Sequence, residues 1–122
     1  MKTADLTKYL KQQLGLSNLY PNVVLGDKDC TGLFGYSSDQ DAYVPVGNTK
    51  YQFYTVASSK ETSEDISNNI MQKLKELTYP FILDDMFIVG LDILNMTPLY
   101  TGKDENNRFI FSFNINLHLQ KK

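Results

Sequence analysis

Phe109-Ile110-Phe111-Ser112-Phe113-Asn114-Ile115-Asn116-Leu117-His118-Leu119-Gln120 decides the fold class. Phe109, Phe111, Phe113, Ile115, Leu117 and Leu119 alternate with Ser112, Asn114, Asn116, His118 and Gln120, the period of a strand with one apolar and one polar face. Working backwards, the polar stretch Gly102-Lys103-Asp104-Glu105-Asn106-Asn107 reads as a solvated hairpin loop, fed by a shorter strand from Met96 to Thr101. Phe87 to Leu94 places Phe87, Val89, Leu91 and Ile93 on one face and Ile88 and Leu94 on the other, as a central strand does.

Upstream the period changes. Ile66, Ile70, Leu74 and Leu77 recur at helical spacing, with Met71 beside them, and Pro80 closes the segment. Thr62 and Asp65 have the spacing of a capping box, and the acids at the start and lysines near the end suit the helix dipole. Leu6, Tyr9, Leu10 and Leu14 form a second, shorter helical stripe, with Thr3 or Asp5 as cap and Gly15 as the left-handed terminus. After Pro21, Asn22 to Leu25 reads as a buried strand, and Leu33 to Tyr36 as a brief one. Tyr43-Val44-Pro45-Val46 is an edge strand, since Pro45 has no N–H, and Gly47-Asn48 reads as the turn into a strand from Thr49 to Ala57. The order is α-β-β-(β)-β-α-β-β-β. Strands and helices do not alternate, so the class is α+β: two helices on one face of an antiparallel-rich or mixed sheet, in a single domain over residues 1–122.

Composition narrows the function. Twelve basic and 14 acidic side chains leave a net charge of −2, and Arg108 is the one arginine, which argues against a phosphate-gripping surface. One cysteine excludes an internal disulfide, and with no export signal or membrane span in view the expected setting is a reducing cytoplasm. Tyrosine and phenylalanine number 8 and 7 beside a single histidine, so the chain is rich in β-forming aromatics and poor in catalytic groups.

Each possible chemical site has a plainer reading. Asp27-Lys28-Asp29-Cys30-Thr31-Gly32 opens like a calcium loop, but Ser38 stands where the bidentate glutamate belongs, so a solvated turn is expected. His118 lies among asparagines without a base or nucleophile at a suggestive spacing, and Cys30 reads as a structural thiol. Asp84 and Asp85 are adjacent and suit a turn rather than a catalytic pair. Gly32-Leu33-Phe34-Gly35 lacks the basic flanks of a phosphate clamp. The Phe109, Phe111, Phe113 row lacks the basic groove of a base-stacking platform and reads as core. No motif supports an enzyme, a cofactor or a metal.

Three stretches carry a family resemblance. Asp5-Leu6-Thr7-Lys8-Tyr9-Leu10 with Tyr20-Pro21-Asn22-Val23-Val24-Leu25-Gly26 is similar to the N-terminal helix and strand of the tail terminator and minor capsid (neck) proteins of long-tailed bacteriophages. Gly32 to Tyr36 and Val46 to Tyr51 resemble that family's short strand and hairpin, and Tyr54 to Thr62 its entry into an amphipathic helix. The resemblance implies a structural virion protein at the head-tail junction, closing the tail tube as a hexameric ring and meeting tail-tube and head-completion (connector) proteins. Alternatives are a head-completion or minor capsid protein at that junction, or a small intracellular adaptor or nucleic-acid-binding domain. On this reading Tyr43, Val44 and Val46, and Leu99 and Tyr100, are candidate edge or interface residues. Asp39 and Asp41, or Asp104 and Glu105, are candidates for a mildly acidic pore through which DNA passes without specific binding.

Overall fold

The computed structural model describes residues 2–35 and 46–121. Its elements run α1 (Thr3–Leu14), β1 (Leu19–Pro21), β2 (Cys30–Gly35), β3 (Val46–Ala57), α2 (Lys60–Leu74), β4 (Phe81–Leu83), β5 (Met86–Ile93), β6 (Leu99–Lys103) and β7 (Phe109–Lys121). The fold is α+β with a mixed, seven-stranded sheet in the order β1-β2-β3-β7-β5-β4, and β6 also pairs with β7. Only β1 and β2 run parallel; the other ladders are antiparallel.

β7 is the seam. One edge pairs with β3 from Val46↔Gln120 to Ala57↔Phe109. Its other edge is shared, β6 taking Phe109 to Ser112 and β5 taking Ile115 to Lys121. The expected apolar face is present: Phe111, Phe113, Ile115, Leu117 and Leu119 are buried, and Phe53 stacks on Phe113 with centroids 4.9 Å apart. Against this face pack Leu6, Leu10 and Leu14 of α1 and Ile70, Met71 and Leu74 of α2. Helix α1 meets β1 and β2 at one end of the strand order and β4 at the other, where Tyr9 stacks on Phe81 at 4.3 Å. The sheet therefore curves far enough for one helix to touch both of its ends.

Several local expectations are corrected. Asn22 to Leu25 is not a strand: Asn22 adopts φ 57, which ends β1, and the chain folds as a flap over the face of the sheet away from the helices. There Val24 and Leu25 pack on a second, small core of Cys30, Val56 and Ile110. Gly32 makes room for it, because a Cβ at that position would lie 2.7 Å from the Val23 carbonyl oxygen. Gly47 and Asn48 are not a turn but lie within β3, opposite Leu119 and His118. Long pairing with an amphipathic β7 overrides their turn preference. Val46 belongs to that same strand, opposite Gln120, rather than to a separate edge strand.

In β5 the register shifts between Ile88 and Gly90, so Val89 is an inserted residue and is 44% exposed. The bulge turns Ile88 and Leu91 to the same core, contrary to strict alternation. The caps move too. Ser59 rather than Thr62 caps α2, its Oγ accepting from the Thr62 N–H at 3.1 Å, and Lys2 holds the cap position of α1 with no side-chain bond. Gly15 ends α1 at φ 64, as expected.

Candidate functional site

A surface that works by contact consists of open strand edges, exposed apolar side chains and charged turns, and the candidate residues fall on these. Leu99 and Tyr100 stand on β6, whose outer edge has no strand partner among the described residues. Both are exposed, at 50% and 43%, and Leu94 and Met96 in the preceding connection add to the apolar surface. Tyr100 lies against Phe111, and the Lys60 ammonium sits 4.5 Å from its ring centroid. Asp39, Asp41, Tyr43 and Val44 lie outside the described residues.

Asp104 and Glu105 occupy the β6–β7 turn but differ in kind. Glu105 is exposed, whereas Asp104 is committed to Arg108. The Arg108 backbone N–H and Nε donate to the Asp104 carboxylate at 2.8 and 3.0 Å, and Nη2 lies 2.9 Å from the same group. Burial alone would raise the Asp104 carboxyl, but the Arg108 backbone and guanidinium bonds outweigh it and hold the group below the usual range. Arg108 also donates through Nη1 to the carbonyl oxygens of Leu25 and Lys28, at 2.6 and 2.9 Å. The one arginine thus holds the flap to the turn, and its donors face inward rather than towards a nucleic acid.

The polar face of β7 carries an arrangement that the sequence concealed. His118 Nδ1 lies 2.6 Å from Asn48 Oδ1 on β3, and Nε2 lies 2.7 Å from Asp92 Oδ2 on β5. One imidazole therefore bridges three strands on the surface the helices leave bare. Strand order alone brings these residues together, and their separations of 70 and 26 residues left no local signal. Among the described residues no group of three or more histidine, cysteine, aspartate or glutamate side chains is placed to hold a metal ion. The Asp29 carboxylate instead accepts from the Ser58 backbone N–H at 3.0 Å, tying the flap's end to the start of α2. No helix among the described residues is long and apolar enough to cross a membrane.

The family model described as bacteriophage tail terminator protein matches residues 27–121. This chain belongs to that family. The matched stretch runs from the flap through β7 and takes in α2, the β6 edge and the β6–β7 turn. Helix α1 and β1 precede it. No curated protein matches the chain. Membership makes this tail terminator a structural protein of the virion, whose setting is among other tail and head proteins.

Proposed function

We propose that copies of this chain assemble into a hexameric ring that caps the tail tube, stops its growth and joins it to the head-completion proteins. The observation that supports this reading, beside family membership, is the set of edges at β1, β4 and β6 that have no strand partner among the described residues, together with exposed Leu99 and Tyr100. A ring needs head-to-tail contacts that close by rotation, and unpaired edges with apolar side chains supply such contacts. The protein acts by shape and association, without catalysis. Asp39, Asp41 and Glu105 add mild negative charge, which lets DNA pass without counterion-releasing contacts.

The test is capping. Purified tail tubes incubated with the protein should stop elongating and show a terminal ring by negative-stain microscopy. Tubes that continue to grow, with the protein left free and monomeric, would overturn the reading. A sub-micromolar, salt-sensitive affinity for duplex DNA would overturn the account of the pore.

A further inference from the structure

The strongest unassigned surface is a groove of about 390 Å³ between α1 and the outer side of β1, lined by Ala4, Thr7, Lys8, Lys11, Gln12, Leu19, Tyr20 and Pro21. Its charge runs against that of the molecule. The chain is acidic overall, yet the charged residues lining the groove are the exposed Lys8 and Lys11, with no carboxylate among the lining. Tyr20 gathers two ammonium groups, with Lys11 Nζ and Lys28 Nζ at 5.8 and 5.3 Å from its ring centroid. Hydrogen bonding to the Tyr20 hydroxyl keeps Lys28 firmly charged, with its pKa raised. β1 is the last strand at its end of the sheet, and Pro21 lacks an N–H, so the groove borders an edge that is open but poor in donors. Such a cleft recognises carboxylates through side chains rather than by adding a long strand. Too small to admit a duplex, it has too few cations to follow a phosphate backbone.

The complement is on the same chain, in the turn between β4 and β5. Asp84 and Asp85 form the exposed β4–β5 turn. Through the ladders, Pro21 lies level with Phe113 of β7, whereas the turn's flanking residues, Leu83 and Met86, lie level with Lys121. Those levels are roughly 27 Å apart along the strands, at about 3.4 Å per residue. Two different, complementary patches on one molecule make a heterologous contact, which gives a ring where its rotation closes. We propose that the Asp84-Asp85 turn of one copy docks in the Lys8, Lys11 and Lys28 groove of the next. The proposal rests on the ring reading and supplies one of its subunit contacts. The groove is lined by residues that precede the matched 27–121 stretch, with Lys28 beside it at Tyr20, so it is a feature of this chain rather than of the family model.

The experiment is a charge swap. Lys8→Glu/Lys11→Glu, Asp84→Lys/Asp85→Lys and the fourfold variant combining them are compared with the unaltered protein. Self-association is measured by sedimentation velocity and ring formation by microscopy on tail tubes. All four positions are exposed, and because Asp84 stands at φ 54, Asp84→Asn/Asp85→Lys, which keeps a residue suited to that backbone, controls for strain in the turn; circular dichroism should show each variant folded. Each double variant should lose association by on the order of tenfold, and the swap should recover most of it. Carbodiimide cross-linking of rings on tubes should join Lys8, Lys11 or Lys28 to Asp84 or Asp85 of a neighbour. Rings that form normally in both double variants, or a swap that restores nothing, would overturn the contact while leaving the ring intact. Absence of rings even from the unaltered protein on tubes would instead overturn the ring reading, and this contact with it. Weakened binding of Lys8→Glu/Lys11→Glu to a glutamate-rich peptide or a short DNA duplex, with self-association unchanged, would assign the groove to another occupant and overturn the proposal.

Discussion

Arg108 Nη1 donates to the carbonyl oxygen of Leu25 at 2.6 Å, across 83 residues of sequence. The guanidinium closes a lock between two segments that have no ladder in common: the flap, and the turn that opens β7. Because its side chain is almost wholly enclosed, removing it would strip the guanidinium donors from the Leu25 and Lys28 carbonyls and leave the Asp104 carboxylate only its backbone donors, the Asn106 and residue-108 N–H groups.

Arg108→Ala should therefore cost about 3 kcal/mol in urea denaturation. Arg108→Lys should recover only part of that stability, since one ammonium cannot reach all of these acceptors in the guanidinium's geometry. Equal stability of the alanine variant and the unaltered protein would show that the lock is not holding the flap.

The same pair makes stability depend on acid. With the folded-state pKa of Asp104 lowered, its contribution is present above the unfolded pKa and is lost as pH falls through the folded one. Denaturant midpoints measured across the acidic range should fall more steeply in the unaltered protein than in Asp104→Asn. Parallel profiles would contradict the assignment.

Gly32→Ala should destabilise by about 2 kcal/mol, because the new Cβ would meet both the Phe34 ring and the backbone oxygen of Val23, and the carbonyl cannot swing away as a ring can. Faster hydrogen exchange should appear in the flap and β2, with α2 unchanged. An alanine variant of undiminished stability would mean the flap moves freely off the sheet.

At the start of α2, Ser59→Ala should cost about 1 kcal/mol, and Thr62→Ala less. The order follows from Ser59 Oγ accepting from the Thr62 N–H while donating to Thr62 Oγ1 at 2.7 Å. Thermal denaturation of the two variants decides between them, and a larger loss at Thr62 would return the cap to that residue.

What could be read in the sequence followed from periodicity. β7 alternates over its whole length, and α2 carries its stripe from Ile66 through Leu74, so both stood out, and with them the α+β class. The bulge at Val89 was hidden because inserting one residue into an apolar run leaves the run apolar. Val23, Val24 and Leu25 looked like a strand because a flap over a small core also needs apolar residues, and only the positive φ of Asn22 separates the two. The Asn48–His118–Asp92 bridge depends on which strands lie beside β7, information that no local window contains. Likewise, Asp104 read as a free pore charge until Arg108 was seen to occupy it.

β7 also sets a timetable. β3, β5 and β6 all pair with it, so three strands made earlier wait for a partner that the ribosome releases last among them. Before residue 121 emerges, the long apolar face of β3 has only β2 beside it on the sheet. Closure must then wait for the release of β7 and, at β3, proceed through distant pairings, which are slow to form. During that interval the nascent chain exposes strand edges that can pair with other copies before its own β7 reaches them.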